Sequence, residues 1–88
     1  MPRQLDDDLW VVDHAFSMLG MPIGTRTTLI RLRDGGLFLH SPGPLDVQLA
    51  KRIDALGPVR WIVAPNKFHH LFVAEHARAW QGAKVYLA

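Results

Sequence analysis

The run Trp61-Ile62-Val63-Ala64 constrains the fold of this chain more than any other part of it. Four successive apolar residues leave no polar face. A strand there needs cover on both sides, as central strands have when helices pack on a sheet. Helical patterns flank the run. Before it, Leu45, Leu49, Ile53 and Leu56 form a single apolar stripe at helical spacing. Pro44 suits the first helical position with Gly43 as the cap, and Gly57-Pro58 ends the helix. Asp46 falls in the first turn and Lys51 and Arg52 towards the last, which complements the helix dipole. After the run, Val73, Ala77 and Trp80 mark the buried side of a second helix, and Gly82 terminates it.

Upstream the pattern changes to strands. Leu9-Trp10-Val11-Val12-Asp13-His14 is rich in β-formers. Residues 15–24 contain Gly20, Pro22 and Gly24 and read as a loop. Residues 25–33 read as a second strand, with Thr28, Ile30 and Leu32 on one side and Leu29, Arg31 and Arg33 on the other. Asp34-Gly35-Gly36 is a turn, and Leu37-Phe38-Leu39-His40 returns. Lys84-Val85-Tyr86-Leu87-Ala88 supplies one more strand. The expected fold is α/β, in the order β-β-β-α-β-α-β. It is a mixed sheet with helices packed on it, and right-handed crossovers make its last three strands parallel. No repeat or low-complexity segment interrupts it.

Composition sets the scale. Eighty-eight residues hold one modest core, and an apolar share of 49%, before the seven glycines are added, exceeds what so small a core absorbs. Residues 1–88 are therefore expected to be a single partial domain. Its apolar last strand would be covered by further sequence or by a homo-oligomer. Cysteine is absent, which excludes disulfides, thiolate metal sites and a thiol nucleophile. The acidic lead Asp6-Asp7-Asp8 is unlike a signal peptide, and no run reaches the ~18–20 apolar residues of a membrane span. The expectation is a cytoplasmic protein without a membrane partner. Arg26, Arg31 and Arg33 lie near one another, but the net charge is only +2 and the other bases are scattered, so no nucleic-acid partner is expected.

Chemistry is expected at the carboxyl ends of the strands, where loops and helix N-termini meet. Histidines mark three of these ends: His14, His40 and the pair His69-His70. If the first three strands form a meander, the parallel directions bring all three to one edge, as a metal site needs. Packing or a hydrogen bond explains His14 and His40 equally well. His76 reads as helix surface, because two turns of helix from His69 span roughly 10 Å. Asp13 could orient an imidazole or simply flank the strand end. Asn66 suits the N-cap of the second helix. Lys67 would repel a dication, or stand in its place and hold an anion, or lie in solvent. Phe16, Met18 and Met21 could flank a cleft or anchor a loop. Ser17 and Ser41 lie in no G-x-S-x-G elbow, and no phosphate-binding glycine loop occurs.

These segments carry a resemblance over nearly the whole chain. Trp10-Val11-Val12-Asp13-His14, residues 16–24, Leu37-Phe38-Leu39-His40-Ser41-Pro42 and, most specifically, Val63-Ala64-Pro65-Asn66-Lys67-Phe68-His69-His70 resemble a domain of unknown function related to the metallo-β-lactamase superfamily. The resemblance implies the N-terminal half of the metallo-β-lactamase αββα sandwich. The superfamily carries a His-x-His-x-Asp-His signature after the corresponding strand. Laid on this chain, its leading histidines fall on Pro65 and Lys67, its aspartate on His69 and its closing histidine on His70. Proline cannot ligate and lysine normally does not, which leaves His69 and His70 as the implied metal ligands.

Zinc or iron is the implied cofactor, or none if the incomplete signature no longer holds an ion. The implied function is a degenerate metal-dependent hydrolase acting on an unknown small molecule through a metal-bound water. Two alternatives stay open. One is a non-catalytic binding or assembly module of the same fold, with Lys67 in place of a metal. The other is a truncated product with no function of its own.

Overall fold

A computed structural model describes residues 2–18, 21–65 and 72–87, and only the backbone of 15–18 and 21–25. Its elements are β1 (Arg3–Asp6), β2 (Leu9–Met18), β3 (Met21–Arg31), β4 (Leu37–His40), α1 (Val47–Leu56), β5 (Val59–Ala64), α2 (Val73–Ala79) and β6 (Lys84–Leu87). The six strands form one mixed sheet in sequential order. β1 to β4 run antiparallel to their neighbours, and β4, β5 and β6 are parallel. The fold is thus α/β, with two helices among the described residues on a mixed sheet, as the sequence leads one to expect.

Three boundaries depart from that expectation. β1 is an additional strand, turned back on β2 by Asp8, which takes φ 59, a conformation aspartate tolerates. All four of its residues are exposed, so no apolar alternation announced it. The supposed loop over residues 15–24 is instead the far part of a long hairpin, paired from Leu9↔Ile30 to Met18↔Met21. Pro22 and Gly24 are tolerated there because β4 pairs only with residues 28–31 of β3, leaving the other edge of the ribbon free.

The third departure is the start of α1. Asp46, not Gly43 or Pro44, is its N-cap, because its carboxylate accepts a hydrogen bond from the Leu49 amide at 2.8 Å, which glycine cannot offer. Lys51 and Arg52 fall short of the last turn, so they do little for the dipole.

Paired residues share a face of a sheet. The register therefore puts Trp10, Val12, Thr27, Leu29, Leu37, Leu39 and Ile62 on one side. Leu49 and Ile53 of α1, with Trp80 just past α2, complete the core on that side. The Trp80 indole donates to Asp54 Oδ1 at 2.8 Å, fastening the end of α2 to α1.

The opposite face carries Val11, Thr28, Ile30, Phe38, Trp61, Val63 and Tyr86, and no helix contributes to it among the described residues. Trp61 stacks on Tyr86 at 6.5 Å between ring centroids, and Lys84 Nζ sits 5.4 Å above the Trp61 ring. Among the described residues the two-sided cover expected for β5 is therefore one-sided. Ile62 and Ala64 are buried, while Trp61 and Val63 are half-buried.

Candidate functional site at the carboxyl edge of the sheet

β2, β4 and β5 point the same way, so the meander does bring their carboxyl ends to one edge. His40 is the last residue of β4, as expected. His14 lies within β2 rather than at its end, because the hairpin continues past it. Asn66, Lys67, His69 and His70 lie outside the described residues.

The chain leaving β4 is where the described side chains converge. Residues 41–43 are all buried, and Ser41 takes φ 66, a left-handed conformation that costs a non-glycine residue energy. Several bonds hold it there. The Ser41 amide donates to Val63 O at 2.8 Å, and Thr27 Oγ1 donates to Ser41 O at 2.7 Å. Ser41 Oγ lies 3.0 Å from His40 Nδ1.

Two imidazoles flank the same segment. His14 Nε2 lies 3.0 Å from Thr27 Oγ1. The Thr27 hydroxyl proton is directed to Ser41 O, so the threonine oxygen accepts and His14 Nε2 carries the hydrogen. His76 Nε2 lies 2.9 Å from Gly43 O, and a carbonyl only accepts, so His76 is also the Nε2–H tautomer. Gly43 lies between the rings. A Cβ there would stand 2.6 Å from His14 Cδ2, so only glycine allows this approach.

Burial favours the neutral form of both rings. Desolvation is the main cause that lowers the His14 pKa below 6.5, with His76 adding to it and Asp13 opposing. Desolvation likewise lowers that of His76, against the Gly43 hydrogen bond and Glu75. His76 is 1% exposed, and its Nδ1 is buried without a hydrogen-bond partner among the described residues. This corrects the reading of His76 as helix surface. The signal lay in its spacing: positions 73, 76, 77 and 80 form one helical stripe, so His76 sits on the buried side with Trp80, whose ring lies 5.5 Å away.

Asp13 orients no imidazole among the described residues. Its carboxylate accepts from Arg26 Nε at 2.8 Å and Arg3 at 3.1 Å, and these hydrogen bonds, Arg26 foremost, lower its pKa below 3.8. Arg31 likewise pairs with Asp8 at 2.8 Å, so two of the three clustered arginines are spent on carboxylates.

A cavity of about 240 Å³ opens beside His14, lined also by Val12, Pro44, Leu45, Leu49, Asp13 and Asp46. That volume falls just below the range usual for small-molecule pockets, about 300–1,000 Å³. Among the described residues no three metal-ligating side chains come together. The Nε2 edges of His14 and His76 face residues 41–43, so their Nδ1 atoms lie on the far sides of the rings. The pair does not chelate an ion between them.

With this edge defined, comparison with known families places the chain. Residues 6–88 match the domain of unknown function DUF4336. The chain belongs to that family. Comparison with the curated proteins returns no match. The DUF4336 match takes in every element from β2 to β6 and all the residues of the carboxyl edge. No helix of the DUF4336 domain, among the described residues, is long and apolar enough to cross a membrane.

Proposed function

We propose that this DUF4336 chain is a degenerate metallo-β-lactamase-like domain, the remnant of a metal-dependent hydrolase, in which His69 and His70 keep a reduced metal-binding capacity. The observation that carries this reading is the common direction of β2, β4 and β5. It gathers the exits of β4 and β5 on one edge, where Pro65 follows the end of β5. The described residues alone do not fit a metal centre, since His14 and His76 commit Nε2 to Thr27 and Gly43. Binding rather than turnover is therefore what we propose for His69 and His70. Zinc suits imidazole donors, and iron accepts them too.

A second reading is favoured by Pro65 and Lys67 at two positions of the signature. In it the domain is a non-catalytic binding or assembly module, and the Lys67 ammonium supplies the positive charge.

Elemental analysis of protein purified without chelator separates the two. Stoichiometric zinc or iron, lost in His69→Ala/His70→Ala, is expected from the first. A well-folded, metal-free wild type overturns it and leaves the Lys67 module.

A further inference from the structure

We infer that His14 and His76 form a proton-operated clasp on residues 41–43, closed while both rings are neutral and opened when they are protonated. The inference stands on described residues and does not depend on metal binding at His69 and His70.

Geometry makes the clasp. Three elements reach the segment from different sides: β2 with the His14 ring against Gly43, β3 with Thr27 on Ser41 O, and α2 with His76 on Gly43 O. The path they hold is costly, because Ser41 sits at φ 66, and such strain persists only where the surroundings impose it. The His76 bond to Gly43 O and the His14 bond to Thr27 both use the Nε2–H tautomer, which the neutral rings already supply.

Protonation adds a hydrogen at Nδ1. On His76 that hydrogen is buried and meets no acceptor among the described residues. An unsatisfied buried cation is far more costly than an unsatisfied neutral group. The surrounding charges do not compensate. Glu75, on the same helix, favours the cation, as Asp13 does for His14, but burial outweighs both. From β2, His14 faces His76 with a second titratable imidazole, and the amino-terminal charge further opposes protonation of His14. Asp46, from the α1 side, shares the cavity of His14 but spends one oxygen on the Leu49 amide. Trp80 offers His76 a ring rather than a carboxylate. The protonated His76 ring therefore reaches water by parting from the segment. α2 has only seven residues and is the element released.

The test is amide hydrogen exchange of α2, corrected for intrinsic rates, alongside ¹⁵N titration of the histidine rings in the intact chain. Protection of residues 73–79 should fall by about tenfold per pH unit for each proton taken up, at pH values beneath about 6.5. His76→Gln retains an amide donor for Gly43 O and cannot titrate at position 76, so its protection should fall less steeply over the same range, by the His14 proton alone. Flat protection in the wild type, or an equal fall in His76→Gln, overturns the clasp. A measurement that needs no variant guards against misfolding of His76→Gln. The ¹⁵N shifts must report His76 as the neutral Nε2–H tautomer near pH 7.5, with its titration coinciding with loss of α2 protection. A charged ring at that pH, or titration without opening, overturns the clasp equally.

Discussion

At Gly57 the backbone leaves α1 with φ 154, and a Cβ there would stand 2.6 Å from the Gly35 carbonyl oxygen. That oxygen does not yield easily, since it is backbone in a tight turn. Gly57→Ala should therefore cost about 2–3 kcal/mol, measured as a lower urea midpoint with an unchanged slope. Gly43 is constrained differently, by an imidazole ring rather than by backbone strain. A side chain there displaces His14 from Thr27, so the change would be felt at the carboxyl edge. Both glycines are visible in the sequence, yet Gly43 reads there as a helix cap. What makes it obligatory is a ring twenty-nine positions upstream, and no local pattern encodes that contact.

Among the elements, α1 shows most clearly what local chemistry determines. Its Leu49–Ile53 stripe was legible because burial follows helical spacing, and both residues reach the core. Its start was not legible, because Gly43-Pro44 satisfies the cap pattern although the buried turn uses that dipeptide for another purpose. The true cap predicts its own test. Asp46→Ala should lower stability by about 1 kcal/mol, seen as a reduced thermal midpoint with the fold retained by circular dichroism. The β2–β3 hairpin was hidden for the opposite reason. Pro22 and Gly24 punctuate a sequence, but they stop a strand only where both edges must pair, and here one edge is free. Arg31 also joins elements in a way hydropathy does not reveal. It lies 4.9 Å from the Trp10 ring centroid, pairs with Asp8 and donates to Leu56 O, so one side chain connects β3 to the β1–β2 turn and to the end of α1.

Across the whole molecule, stability should follow proton uptake by His14 and His76. Both have native pKa values lowered from 6.5, so below that value the unfolded chain binds more protons than the native one. Their contribution is complete above about pH 6.5 and is lost as the pH falls through the window beneath. Urea unfolding should show stability rising with pH there, by at most about 1.4 kcal/mol per unit per proton. Asp13 acts in a lower window, its carboxyl contributing above about pH 3.8 and losing its arginine bonds in stronger acid.

The common edge of β2, β4 and β5 was foreseeable from strand direction alone. The partnership of His14 with His76 was not, because it depends on α2 folding back across the sheet. The division of that sheet, antiparallel through β4 and parallel beyond it, also bears on how the chain assembles. Neighbouring hairpins zip over short loops, whereas parallel partners must wait for a helix to be laid between them. The amino-terminal meander is thus the natural nucleus, and the histidines fasten around their turn only after the last crossover has docked.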